Sequence, residues 1–314
     1  VLYSNIFFGF SILIWLVNIL SAIIRGLGDI LTPAKAITLG SIFQIFFSGI
    51  FTLGFLGFPK FGVIGPSIAI LICHLGMVIY LLYHLLNIQT VIKIKIKQFS
   101  LKIFNDIMKV GGLGLLNSIT IALTVAIVTG YVGKYGSSAL AGYGLGSRLE
   151  LILTPIIFGL GAALTASVSI NIGSKQIDRA RKITWVGGGV SFLLIGLIGL
   201  IVSVFPKMWI NNFSIDPNVY NYANDYLIIV GPFFCFFGLG QALYFASQGT
   251  GKMLKPITVG IVRFLSVIIL GYFVIYNKGP IDYIFYAVSL GLIITGLGMS
   301  ICLLGSEWKE NKIN

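Results

Sequence analysis

The amino-acid sequence predicts an all-α, polytopic membrane protein built from two related halves, and three observations carry that prediction. The chain is 57% hydrophobic and only 10% charged, with a mean hydropathy of +1.00. That is more apolar surface than a water-soluble core of this size hides. Nearly uncharged runs of about 20 residues recur along it, each long enough to cross a hydrocarbon layer of about 30 Å as a helix. Finally, one short motif occurs twice, as Arg25-Gly26-Leu27-Gly28-Asp29-Ile30-Leu31-Thr32-Pro33 and as Gln248-Gly249-Thr250-Gly251-Lys252-Met253-Leu254-Lys255-Pro256. Gly26, Gly28, Leu31 and Pro33 each recur 223 positions on, and Leu75-Gly76-Met77 returns as Leu297-Gly298-Met299 at nearly the same offset. Two full copies at this offset call for roughly 446 residues, so the expectation is that three further spans precede Val1.

Nine spans follow in order. The first, 6–24, carries Asn18 and ends at Arg25 in the first motif copy. The second, 36–58, contains Gln44 and Ser48, and the third, 63–82, contains Cys73 and His74. A basic connector, 87–109, comes next; its Lys93, Lys95 and Lys97 suit either an anionic inner membrane surface or a solvated linker. The fourth span, 110–132, holds Asn117 and Ser118, and the fifth, 151–170, holds Pro155 and a run of small residues around Gly159 and Gly161. The sixth is 183–205. The seventh, 226–246, contains Pro232 and leads into the second motif copy, with Gln241, Tyr244 and Gln248 at spacings of three and four and therefore on one helix face. The eighth, 257–276, holds Arg263, and the ninth, 283–304, precedes a short tail, 305–314. Helices are expected because a bilayer requires each backbone group to find its partner within its own segment, and the runs are too long and uniform for barrel strands. Small residues let such helices pack closely, and Pro155 and Pro232 are sites for kinks. The domains read as 1–86 for part of one lobe, 87–109 for the connector, 110–304 for a six-helix lobe and 305–314 for the tail.

The net charge of +12 does not point to nucleic acid, because the basic residues alternate by loop. Loops after the odd-numbered spans, with the tail, hold Arg25, Lys35, Lys93, Lys95, Lys97, Lys102, Lys109, Lys175, Arg179, Arg181, Lys182, Lys252, Lys255, Lys309 and Lys312. The other loops hold only Lys60, Lys134, Arg148, Lys207 and Lys278. By the positive-inside rule the first set is cytoplasmic, as is the C-terminus. Cys73, Cys235 and Cys302 all fall inside spans as small hydrophobes, so neither a disulfide framework nor a metal site is predicted. Two histidines ten residues apart, with no paired carboxylates or nucleophile arrangement near either, argue against an intramembrane enzyme, and His74 reads as a packing residue. A passive channel is disfavoured by an internal repeat without a filter signature.

Ionisable groups inside a bilayer are functional candidates by default. Glu150 is the one carboxylate placed well within a span, in the outer half of a helix expected to begin near Ser138. It reads either as a protonation or cation site or as the partner of Arg148 or Arg263 in a structural ion pair. The Gln241, Tyr244 and Gln248 stripe reads either as a polar or cationic substrate surface or as helix-to-helix hydrogen bonding. Asn18, Gln44 and Asn117 complete the set of intramembrane polar candidates. Gly26, Gly28, Pro33, Gly249, Gly251 and Pro256 read as a turn motif, glycine ending one helix and proline starting the next.

The two motif copies, together with Ala139-Leu140-Ala141-Gly142-Tyr143 ahead of the fifth span, resemble the MATE family of multidrug and toxic compound extrusion transporters. The resemblance covers nearly the whole chain and aligns it with helices four to twelve of a twelve-helix, two-lobe, inverted-V plan. It implies a secondary active antiporter in the plasma (inner) membrane, exporting small organic, often cationic, compounds by alternating access in exchange for protons or sodium. No cofactor beyond that coupling ion is implied; the implied partners are the substrate and membrane lipid, with a monomeric assembly. Lipid-linked saccharide flippases share the plan but need a more cationic cleft, and an inactive fragment is a further alternative. The family's acids are missing at two positions: Gln44 and Ser48 stand where many members have Asn and Asp, and Asn117-Ser118 stands where some have Glu.

Overall fold

A computed structural model describes residues 2–87 and 100–305. Lys93, Lys95 and Lys97 of the connector and Lys309 and Lys312 of the tail lie outside the described residues. The helices, in order, are α1 (Leu2–Gly9), α2 (Ile12–Gly26), α3 (Leu31–Leu53), α4 (Gly65–Asn87), α5 (Leu101–Gly133), α6 (Ser137–Gly173), α7 (Ile177–Val204), α8 (Lys207–Ile210), α9 (Pro217–Val230), α10 (Phe234–Thr250), α11 (Leu254–Tyr276) and α12 (Asp282–Leu304). Among the described residues, nine helical segments are long and apolar enough to cross a membrane, with α1 and α2 forming one of them and α9 and α10 another. These match the nine spans read from the sequence.

Segment ends differ from the apolar runs, because a helix need not stop where the hydrocarbon does. α5 begins at Leu101, taking into the helix residues that read as connector. α6 starts at Ser137, close to the expected start near Ser138 and well before the apolar run that begins at 151, and continues unbroken through Pro155. The seventh span starts at Pro217 rather than near 226, because Asp216 caps it by accepting a 2.8 Å hydrogen bond from the Asn218 N–H and proline occupies the first helical turn. Asp225, which reads as a residue just outside the span, is therefore inside a helix. Pro232 does interrupt its span: Gly231–Phe233 is a single 3-10 turn between α9 and α10.

The chain divides into two compact units, Val1–Phe99 and Ser100–Asn314. In the first, α2 and α3 pack on α4 around Val17, Leu20, Ile24, Met77 and Leu81. In the second, α10 lies among α6, α7 and α12, and α11 packs against α5 and α12.

α7 shows how these helices suit lipid. Its buried face runs Thr184, Gly188, Ser191, Ile195 and Gly199, while Leu193, Leu197, Leu200 and Val204 at the same spacing form the exposed face. Small and polar side chains face the bundle and large apolar ones face outward, the reverse of a soluble helix. Hydrogen bonds from hydroxyls to neighbouring backbones join the elements. Ser191 Oγ donates to the Gly238 carbonyl at 2.8 Å, Thr165 Oγ1 to the Phe245 carbonyl at 2.8 Å, and Ser169 Oγ to the Gly249 carbonyl at 3.0 Å.

Candidate functional site

The second unit forms a half-open cavity of about 740 Å³ among α5, α6 and α10. Its polar wall is supplied by Asn117 and Ser118 from α5 and by Gln241, Tyr244 and Gln248 from α10, with Thr154 and Thr165 from α6. The 3.6-residue helical repeat places the three α10 side chains in one row, so the stripe legible in the sequence lines a single chamber. Phe158, Phe237 and Phe245 add aromatic surface. Asn117 and Tyr244 are buried, and the Tyr244 hydroxyl is aimed at α5 beside Gly114, where a side chain in place of the glycine hydrogen would touch it.

A narrow recess of about 10 Å³ adjoins the chamber and shares Asn117, Ile121, Gln241 and Tyr244 with it. It is further lined by Arg263 of α11 and Thr295 of α12. The Arg263 stem rests near Gly291 of α12, and its Nε and Nη2 are buried with no hydrogen-bond partner among the described residues. The sequence had no means of aligning Arg263 with the α10 stripe, because the two lie on different helices.

Glu150 sits elsewhere on α6, one turn before Thr154, whose Oγ1 donates to the Glu150 carbonyl at 2.7 Å. The Tyr226 hydroxyl donates to Glu150 Oε1 at 2.5 Å. Around this contact the Tyr226 ring meets Tyr143 edge-on at 5.4 Å and Phe285 at 5.2 Å, and it packs against Gly146, where an added side chain would strike it. The partner of Glu150 is thus a tyrosine that sequence reasoning missed. Among the described residues no Lys or Arg nitrogen comes within 4.0 Å of the carboxylate, so neither Arg148 nor Arg263 forms a close ion pair with it, although Arg263 is near enough to act on it electrostatically. Arg148 is exposed and its guanidinium lies 5.8 Å from the centre of the Phe213 ring. The reason is helical phase: Arg148 and Glu150 are two residues apart and cannot share a face.

In the first unit, Asn18 is exposed and donates to the carbonyl of Ile14 at 2.9 Å, and Gln44 is half-buried on α3. His74 Nδ1 lies 2.8 Å from the carbonyl oxygen of Ile70, in keeping with a packing role. That unit also contains the one ion pair found among the described residues, His84 Nε2 to Asp29 Oδ2 at 3.0 Å. Asp29 Oδ1 accepts the Thr32 N–H at 3.0 Å at the start of α3.

Both motif copies build a helix–turn–helix corner. Gly28 and Gly251 have φ of +95° and +72°, in the left-handed region, and Pro33 and Pro256 sit in the first turns of α3 and α11. The leading glycines differ. Gly26 has open space around it, whereas a side chain at Gly249 would lie 2.7 Å from the Thr165 carbonyl oxygen of α6. The leading residue differs as well, since Gln248 lines the chamber.

A helical, polytopic membrane protein with a polar-walled chamber inside one of its bundles is the class defined by this fold and site. Residues 115–273, just over half of the chain, match the MatE family model, and the chain belongs to that family, whose members are transporters rather than enzymes. It is similar to the Probable multidrug resistance protein YoeA of Bacillus subtilis, at 24% identity over 82% of this chain and 57% of the relative. The Probable multidrug resistance protein NorM of Thermotoga maritima is 26% identical over 82% of this chain and 54% of its own length. The chain therefore spans little more than half the length of these curated relatives. Among solved structures, a MOP superfamily transporter from Pyrococcus furiosus superposes with a TM-score of 0.86 at 20% identity, covering 98% of this chain and 70% of that one. At that identity the likeness concerns the fold.

Proposed function

We propose that the protein is a secondary active exporter, an antiporter that moves small organic compounds outward in exchange for protons or sodium by alternating access. The observation that carries this reading is the 740 Å³ chamber inside the second unit, walled by neutral hydrogen-bonding groups and aromatic rings. Such a wall suits varied organic solutes: rings and apolar surface bind the body, and a few amides and hydroxyls orient it. In lipid, uncommitted polar side chains are costly unless they meet a ligand, water or one another. Family membership supports the same reading, as do the multidrug resistance names of the relatives.

Within this proposal Glu150 is the coupling group. It is a carboxylate inside a span, held by one tyrosine hydroxyl and by no cation within ion-pair distance, so a proton or sodium ion can occupy its remaining oxygen positions. The cationic cargo expected from the resemblance would have the Tyr244 ring face to meet in this unit. The protein is placed in the plasma membrane as a monomer, surrounded by lipid, with its C-terminus in the cytoplasm on the strength of the alternating loop charges.

The test is efflux of a fluorescent cation, ethidium, from proteoliposomes containing the intact protein, with proton and sodium gradients imposed separately. Gradient-driven efflux that Glu150→Gln abolishes is expected. Ethidium movement indifferent to both gradients would sink the antiport reading.

A further inference from the structure

We infer that Arg263 forms an anion subsite in the wall of the chamber, so that the compound handled there carries a carboxylate or phosphate beside an apolar or aromatic body. The inference rests on the transport reading and names the substrate class of the same site. It differs from the cationic cargo implied by family resemblance.

Four observations carry it. First, Nε and Nη2 of Arg263 are buried without hydrogen-bond partners among the described residues. A guanidinium keeps its charge, and two desolvated donors without acceptors are costly. Second, these two nitrogens form a single edge of the guanidinium, the edge that offers two parallel N–H groups to a carboxylate or phosphate. Third, no carboxylate among the described residues forms a close pair with it, and Glu150 acts on it only from beyond 4.0 Å. The other polar residues of the recess, Asn117, Gln241, Tyr244 and Thr295, are neutral, and Glu150 engages Tyr226 and lies beyond ion-pair distance. Among the residues lining the recess and the chamber, Arg263 is the sole charged side chain.

Fourth, the space is graded. The recess of about 10 Å³ has room for about one water-sized atom, as an anionic oxygen is, and it shares four lining residues with the chamber. With one oxygen seated against Arg263, the amides of Asn117 and Gln241 line the same recess and carry N–H groups of their own. The body of the compound then lies toward Phe158, Phe237 and Phe245. The two sources of such an anion are a soluble organic acid and a lipid phosphate, and one experiment separates them.

Binding is measured on the intact protein in phosphatidylcholine nanodiscs, without any gradient, using two dyes that share a fluorophore: dansylglycine, an anion, and dansylcadaverine, a cation. The expected result is tighter binding of dansylglycine. Arg263→Gln should weaken it by about ten-fold or more and remove the charge preference, with Arg263→Lys in between and the surface variant Lys207→Gln unchanged. Equal dansylglycine affinity in wild type and Arg263→Gln, or a wild-type preference for dansylcadaverine, overturns the proposal. Should Arg263→Gln fail to fold, competition on the wild type decides, since benzoate and not benzylammonium must displace dansylglycine, and failure of benzoate to do so overturns it. Displacement by phosphatidylglycerol added to the nanodiscs identifies a lipid phosphate as the natural anion, and its absence with benzoate competition intact identifies a soluble acid. Arg263-dependent binding without gradient-driven movement of either dye leaves the subsite standing and removes the transport reading. Gradient-driven movement with binding indifferent to Arg263 does the reverse.

Discussion

Asp29 shows how a single residue ties a loop to two helices. Its carboxylate accepts the Thr32 N–H at the start of α3 and pairs with His84 at the end of α4, at 3.0 Å in each case. The bonds from Thr32, followed by the His84 contact, hold the Asp29 carboxyl well below the ordinary carboxylate value of 3.8, at about 2. A carboxyl held low stabilises the fold above its unfolded value and loses that contribution as the pH falls from 3.8 towards about 2. Asp29→Asn is therefore expected to lower stability by roughly 1 kcal/mol at neutral pH. That difference from wild type should narrow in thermal melts taken as the pH is lowered through the same window. A gap that widened on acidification would contradict the assignment. The sequence shows Asp29 facing Lys252 between the two motif copies, but not His84, which is 55 positions away. Proximity of that kind is made by folding alone.

At the scale of elements, the repeated motif does two separate jobs. Its second glycine supplies a left-handed backbone at the corner in both copies, and that much follows from sequence, since only glycine adopts it without strain. Its first glycine is a packing residue in one copy only, because α6 passes directly over Gly249. Gly249→Ala should accordingly cost about 1–3 kcal/mol by forcing a methyl group against the Thr165 carbonyl. Gly26→Ala should be neutral or slightly stabilising, since alanine holds a helix better than glycine and nothing lies within 4 Å. Melting of the two variants in detergent checks this, and equal destabilisation would show that the copies pack alike. Span existence was legible because apolar runs of membrane length have few alternatives. The start of α9 was not, since Asp216 and Pro217 act through capping and the polar first turns of that helix carry no hydropathy signal.

For the whole molecule, the alternation of basic loops predicts which ends of the second unit face the cytoplasm. In cells carrying single-cysteine variants, with Cys73, Cys235 and Cys302 replaced by alanine, Ser174→Cys should be protected from a membrane-impermeant maleimide until the cells are opened. Asn212→Cys should react in intact cells. The opposite pattern would invert the topology. The sequence by itself determined that this is a helical membrane protein, where its spans run, that one motif recurs 223 positions on and which family it resembles. These properties are written in composition, run length and spacing, which need no knowledge of neighbours in space. Only the tertiary structure decided that Gln241, Tyr244 and Gln248 share a chamber with Asn117, that Glu150 belongs to Tyr226, and that Arg263 stands over a recess without a partner. Each of these depends on the rotation of one helix against another. That rotation is set by many small glycine and hydroxyl contacts between helices, and no local pattern in the chain encodes it.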